Sequence, residues 1–163
     1  MNSTGVNRSW VIGSIGICLS LALLFLALSC KNETAESTRE DAEIRKKLEE
    51  RTRNLRKLEF AVEDSETILS SIKEGFSKNA YGDIAEHAEE ISKKAQSMRQ
   101  YTIDLEGAEY TLLNRDIRNL QHSAHELEEK AQARQHAEAH HSAQMVEEAL
   151  ETLKEDLRSA QRK

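Results

Sequence analysis

Apolar residues recur at alternating steps of three and four along the chain from residue 44 onward. This spacing places them on one side of an α-helix, so it indicates amphipathic helices that each bury one stripe. Four stripes can be traced: Ile44, Leu48, Leu55, Leu58, Val62, Leu69, Ile72 and Phe76; Ile84, Ala88, Ile91, Ala95, Met98, Thr102 and Leu105; Tyr110, Leu113, Ile117, Leu120, Ala124, Leu127 and Ala131; Ala139, Ala143, Val146, Leu150, Leu153, Leu157 and Ala160. The chain has no proline, which favours long helices with short connections. The pattern therefore predicts an all-α domain.

The four stripes are out of phase with one another, which predicts four separate helices. Continued past Leu105, the second stripe would fall on Glu109, whereas the third stripe begins one residue later. One residue turns a helix by about 100°, so a single straight helix would rotate its stripe off the core. The first two predicted breaks coincide with glycines, namely Gly75, Gly82 and Gly107. The third break, near residues 134–138, rests on phase alone.

The two halves of the helical region share a layout. Adding 55 to the numbers of Val62, Ile72 and Ile84 gives Ile117, Leu127 and Ala139, which are also stripe positions. Two helical hairpins with short turns predict an up-down-up-down antiparallel four-helix bundle. The first helix is predicted to be extended, with a charged stalk ahead of the bundle. The alternative is an extended coiled coil that oligomerises, because such stripes suit both architectures.

The N-terminus has the features of an export signal. Residues 10–29 carry no charge, and Arg8 precedes them. A basic start, an apolar run and small residues before a cleavage site are typical of secretory signals. The sequence LALSC, residues 26–30, resembles the lipobox of bacterial lipoproteins, although Ala27 stands where that family has leucine. The resemblance implies that Cys30 is lipidated. The alternative is an uncleaved anchor, because twenty apolar residues can span about 30 Å of bilayer.

Three regions are therefore predicted. Residues 1–29 form a lipoprotein signal peptide or membrane anchor, residues 30–54 contain the lipidated Cys30 and a charged linker or helical stalk, and residues 55–163 form the bundle. Either reading of the N-terminus places the rest of the chain in the cell envelope, membrane-anchored and facing the periplasm or the exterior. Residues 31–163 carry 22 Lys and Arg against 29 Asp and Glu, a net charge of 22 − 29 = −7. An acidic domain without a basic stripe argues against a nucleic-acid partner.

The histidines are the candidate metal ligands. His136 and His140 are four residues apart and share a helix face. In an antiparallel bundle His87 would lie at the same end, near His140 and His141. Imidazole with carboxylate suits Zn²⁺, Cu²⁺ or Ni²⁺. The competing interpretation is a polar surface, because exposed histidines are common on solvated helices and no set of four ligands is evident. The other two histidines, His122 and His125, are predicted to point outward.

Two segments resemble a known family. The sequences GDIAEHAEEISKKAQSM, residues 82–98, and HAEAHHSAQMVEEALETLKED, residues 136–156, are similar to helices of the small periplasmic metal-binding proteins. These are short exported four-helix bundles whose helices repeat a His-Ala step, which His87 begins here. The resemblance implies metal binding by His87, His136, His140 and His141. The chain is poorer in histidine than that family.

The layout also resembles the cytochrome c-prime bundles, but the haem motif is missing. Covalent haem requires a Cys-x-x-Cys-His stretch near the C-terminus. The last fourteen residues contain neither cysteine nor histidine, and the first predicted bundle helix has no methionine. Haem is therefore not expected.

We expect a binding protein rather than an enzyme, because no nucleophile has a plausible base and orienting partner. The leading hypothesis is sequestration of a divalent transition metal in the envelope. The alternative is a structural tether or adaptor lipoprotein that acts through helix–helix contacts with a protein partner or with its own copies. A third hypothesis is acid sensing, because protonation of all six histidines would change the charge of residues 31–163 from −7 to −1.

Overall fold

The computed structural model describes residues 9–103 and 105–162, with side chains described from residue 39 onward. Four α-helices account for most of this part: α1 (Ser9–Lys78), α2 (Tyr81–Met98), α3 (Gly107–Gln132) and α4 (His136–Gln161). A 3₁₀-helix, Arg99–Thr102, follows α2 directly. The described residues contain no β-strand. The chain divides into two compact units, residues 1–46 and residues 47–163, and the four helices pack against one another in the second. The all-helical, four-helix prediction is confirmed.

The predicted stripes form the core of the second unit. Every position of the second and fourth stripes is buried, and so is every position of the third except Tyr110. On α1 the first buried position is Leu55, whereas Ile44 and Leu48 are exposed, and Ser65 fills a core position with its hydroxyl donating to the Ala61 carbonyl. The core contains alanines as well as large aliphatic residues, and small side chains allow helices to approach closely.

The turn between α1 and α2 is built around a left-handed residue. Asn79 has φ of 53°, its N–H donates to the Phe76 carbonyl at 3.2 Å, and the Ala80 N–H donates to the Gly75 carbonyl at 2.9 Å. These two bonds are the Schellman pattern, which satisfies the last carbonyls of a helix. Asparagine tolerates the left-handed conformation better than most residues.

The turn between α3 and α4 has the same construction 55 residues later. Arg134 has φ of 54°, its N–H donates to the Ala131 carbonyl at 2.9 Å, and the Gln135 N–H donates to the Lys130 carbonyl at 2.9 Å. The break that the sequence located by phase alone is therefore confirmed. The 55-residue relation extends from the core positions to the backbone of the turns.

The glycines do not form the first break, which corrects their expected role. Gly75 and Gly82 both lie inside helices, and the left-handed position of the turn belongs to Asn79. A Cβ atom on Gly75 would lie 2.8 Å from Cγ1 of the buried Ile84, so Gly75 permits close contact between α1 and α2. Of these three glycines, Gly107, with φ of 62° at the start of α3, is the one that needs glycine for its backbone conformation.

One arginine connects three helices. The guanidinium of Arg51 on α1 donates to Glu109 Oε2 on α3 at 2.9 Å and to the Ala160 carbonyl near the end of α4 at 2.8 Å. The arginine side chain is 22% exposed and the glutamate 19%. The first stripe passes through Arg51 at a position where an apolar residue would be expected, and these contacts explain why a charge is accommodated there.

The predictions for the N-terminus concern residues outside the described side chains. These are the signal peptide or anchor over residues 1–29 and the lipid on Cys30. Among the described residues, no helix combines the length and apolar character needed to span a bilayer.

Candidate functional site

Four rings meet where the two similar turns lie together. Phe76, at the end of α1, stacks on His140 of α4 with ring centroids 3.9 Å apart and an interplanar angle of 22°. Tyr81, the first residue of α2, shares a hydrogen bond with Nδ1 of His136, the first residue of α4. The rings of His136 and His140 are 4.9 Å apart and nearly perpendicular. We call Phe76, Tyr81, His136 and His140 the ring cluster.

The ring cluster follows from the 55-residue relation. Tyr81 and His136 occupy equivalent positions, each as the first residue of a helix after a Schellman turn. Because these equivalent residues contact each other, the two turns pack side by side. A four-residue step then brings His140 beside His136 on the same face of α4. The buried Phe76 forms the apolar side of the cluster that faces the core.

The structure brings together two of the four predicted metal ligands. His136 and His140 are neighbours, as the sequence predicted, and both are exposed. His141 is also exposed but makes no ring contact with them among the described residues. His87 is half-buried on α2, its nearest charged partner is Glu90 at 4.0 Å, and its Nδ1 atom is buried without a hydrogen-bond partner in the described chain.

The surroundings of the pair determine what it can bind. One nitrogen of His136 is engaged by the Tyr81 hydroxyl, and one face of His140 is covered by Phe76. No group of three or more His, Cys, Asp or Glu side chains within the described residues is arranged to hold a metal ion. Two imidazoles on one exposed helix face offer at most a partial coordination sphere, which solvent would have to complete.

The remaining histidines lie on the surface of α3. His122 is 75% exposed and its Nε2 lies 3.7 Å from Glu126, one helical turn away. His125 is 60% exposed and lies between Glu128 at 3.3 Å and Glu129 at 3.6 Å. The prediction that both histidines point outward is confirmed. Because both histidines pair with glutamates of the same helix, they belong to a solvated helix face.

A carboxyl pair with one buried member was not predicted from the sequence. Asp116 on α3 is 1% exposed, and its Oδ1 accepts a 2.8 Å hydrogen bond from Nε of Arg115. Its Oδ2 is buried with no donor among the described residues. Asp156 of α4 lies beside it, and Arg115 also approaches Asp156 Oδ2 at 3.7 Å. Burial, and then the proximity and charge of the Asp116 carboxylate, raise the pKa of Asp156.

A signal for Asp116 was present in the stripe itself. Leu113, Asp116, Ile117 and Leu120 follow the spacing of three, one and three that a wide apolar face requires. A carboxylate in that pattern points toward the core and needs a partner there. Arg115, the preceding residue, supplies one hydrogen bond, but the second carboxyl, Asp156, lies on another helix, so the sequence alone could not identify the pair.

The second surface of interest is on α1. Phe60 is 71% exposed, although it lies in the middle of a packed helix. Open grooves of about 580 and 590 Å³ flank it. The exposed stripe through this residue consists of Arg53, Arg56, Phe60, Glu63 and Thr67. We call these five residues the Phe60 face.

No family model matches the chain, and neither a curated protein nor a solved structure matches it. The functional interpretation therefore rests on the residues and their geometry.

Proposed function

We propose that the chain is a non-catalytic helical binding protein of the cell envelope, a tether or adaptor that acts through helix–helix contacts. The observation that carries this proposal is the Phe60 face, where a phenyl ring lies 71% exposed between two grooves of α1. Aromatic residues are enriched in the cores of protein–protein interfaces, which are surrounded by polar rims. The ring cluster and the carboxyl pair are smaller, and their side chains contact other residues of the bundle.

The buried polar groups support a structural rather than a chemical role. Thr102 accepts a 2.8 Å hydrogen bond from Nδ2 of the buried Asn114, and donates its own proton to the Arg99 carbonyl at 2.9 Å. Ser65 bonds within its own helix. Thr102, Asn114 and Ser65 thus have hydrogen-bond partners within the described bundle, unlike Asp116 Oδ2 and His87 Nδ1, so these three specify packing.

We infer that the helices alternate in direction, in an up-down-up-down arrangement. Contacts between α1 and α4 support this arrangement. Residues later in α1 contact residues earlier in α4, as expected for antiparallel helices. Three polar contacts follow that order: Gln161 with Glu59, Lys154 with Glu66, and Lys73 with Glu147. The short turns after α1 and α3 favour the same topology.

The envelope location and the lipid on Cys30 are proposed from the N-terminal sequence. Residues 10–29 are uncharged, and small residues precede Cys30. Mass spectrometry of the membrane-extracted protein tests this directly. We expect a mature N-terminus at Cys30 that carries acyl chains. An intact Met1 with an unmodified cysteine would establish the uncleaved anchor instead.

Site-specific photo-cross-linking tests the adaptor function. A benzoylphenylalanine replaces Phe60 in the full chain, and cells that express it are irradiated. We expect cross-linked protein products from this position. The matched control places the same probe at Arg118, an exposed position on α3 without a described ion pair. Absence of any protein adduct from position 60, or equal adducts from both positions, would contradict the proposal.

A second candidate function is weak binding of a divalent transition metal at His136 and His140. Their adjacent, exposed rings on one face of α4 favour it. Calorimetric titration of the full chain with Zn²⁺ tests this idea. Replacement of His136, His140 and His141 by alanine should abolish the heat, whereas replacement of His122 and His125 should preserve it. An unchanged isotherm in the triple variant would rule out the site.

A further inference from the structure

The Phe60 face has the spacing of a helix-pairing stripe. Its five members follow steps of three, four, three and four, so they lie on one side of α1. Phe60 occupies the centre, and all five side chains are exposed. The buried stripe of the same helix lies on another side, where Leu58 and Val62 reach the core. Helix α1 therefore has a core-facing side and a separate side without a partner in the described chain.

Charge is ordered along this face. Arg53 and Arg56 precede Phe60, and Glu63 follows it. Neither Arg56 nor Glu63 makes an ion pair with any described residue. The two charges stand four residues before and three residues after the ring, so Phe60 lies almost at the midpoint between them. If a copy of this face is rotated by half a turn about an axis through Phe60, its Arg56 lies opposite Glu63 and its Glu63 lies opposite Arg56.

We propose that the occupant of the Phe60 face is a second copy of this chain. Two α1 helices pair antiparallel about a two-fold axis at Phe60, so that the phenyl rings meet and each Arg56 faces Glu63 of the other copy. This inference deepens the proposed helix–helix function and rests on it. A two-fold interface must be complementary to itself, and a stripe with basic, apolar and acidic groups in that order meets this requirement.

The charge order selects the antiparallel arrangement. In a parallel pair Arg56 would face Arg56 and Glu63 would face Glu63, which is repulsive at both places. One helical stripe buries less area than a stable interface of about 1,200 Å² or more, so the association is weak.

Charge reversal tests the pairing, because the Phe60 face is outside the core. Sedimentation equilibrium of the full chain in density-matched detergent measures the dimerisation constant. We expect Arg56→Glu or Glu63→Arg alone to weaken dimerisation about tenfold or more, because each places like charges at both symmetric junctions. The double variant Arg56→Glu/Glu63→Arg should restore affinity to within about threefold of the parent, because opposite charges then face each other again.

Three further variants complete the design. Phe60→Ser should abolish dimerisation. Arg118→Glu and Glu151→Arg make the same charge changes at exposed positions on α3 and α4, and they should leave the dimer unchanged. A monomeric parent, single reversals equal to these controls, or a double variant no better than the singles would overturn the proposal.

The cross-linking experiment separates this inference from the broader function. An adduct from position 60 at twice the chain mass supports self-pairing. Adducts only with another protein overturn self-pairing and leave the adaptor function intact, whereas no adduct contradicts both.

Discussion

The carboxyl pair between α3 and α4 predicts that Asp156→Asn stabilises the protein. Arg115 donates a hydrogen bond to Asp116 Oδ1, but Asp116 Oδ2 has no donor among the described residues, and an ionised Asp156 beside it cannot supply one. A carboxamide at position 156 removes one negative charge and supplies an N–H donor to the buried carboxylate. Burial, and then the neighbouring Asp116, raise the pKa of Asp156, so its ionised form is disfavoured at this position.

The size of the gain follows from the burial of the two groups. A hydrogen bond to a charged buried acceptor contributes about 1.5–3 kcal/mol. The Asp156 side chain is 30% exposed, so solvent screening reduces this to about 1 kcal/mol. The lost contact with Arg115, at 3.7 Å on the surface, costs up to about 0.5 kcal/mol. The net gain at pH 7 is therefore about 0.5–1 kcal/mol, or roughly 2–4 °C in Tm for a unit of this size.

The direction of the pKa shift determines how the stabilisation by Asp156→Asn varies with pH. A raised pKa in the folded state means that the folded chain keeps the proton of Asp156 to a higher pH than the unfolded chain does. The stability that this proton adds to the folded state is fully present below the unfolded pKa of about 3.9, and it is lost as pH rises through the raised folded pKa. The advantage of Asp156→Asn should thus be small near pH 4 and should grow toward pH 7.

Thermal unfolding of the full chain, followed by circular dichroism between pH 4 and 7, measures this effect. Glu151→Gln is the matched control, because it removes one exposed charge from α4 one turn earlier. A gain of equal size at every pH, a gain matched by the control, or a loss of stability at pH 7 would refute the reasoning.

Four other substitutions should change the urea-unfolding free energy of the full chain. Gly75→Ala should cost about 1–3 kcal/mol because its Cβ overlaps Ile84, whereas Gly82→Ala, in open space, should gain about 0.5 kcal/mol; equal effects would contradict the packing argument. Arg134→Gly should gain about 0.5–1 kcal/mol by relieving a left-handed backbone, and a loss would show that the arginine side chain matters more. Arg51→Met should cost about 1–2 kcal/mol through two lost hydrogen bonds, and no change would show that water replaces them.

Local patterns were sufficient to predict the helices and most of the core. Periodicity depends only on positions within one helix, so the second and fourth stripes were correct at every position. Phase located the break at Arg134 without any glycine. Ile44 and Leu48 fit the same periodicity but are exposed, because a stripe becomes a core only where another helix covers it.

The candidate site was only half predictable, because it depends on the register between helices. The proximity of His136 and His140 follows from a four-residue step within α4. The stacking of His140 on Phe76 and the burial of Asp116 beside Asp156 depend on how one helix is placed along another. Sequence spacing within a helix carries no information on that offset.

The two Schellman turns have a consequence for the order in which the protein opens. They are joined by the Tyr81–His136 hydrogen bond and by the ring stacking around Phe76, so neither turn can separate without disturbing the other. The connection from α2 to α3 is built differently, with a short 3₁₀ segment followed by the exposed Ile103. Local fluctuations therefore begin there, and its amide hydrogens should exchange with solvent well before those of Ile84 and Ala139.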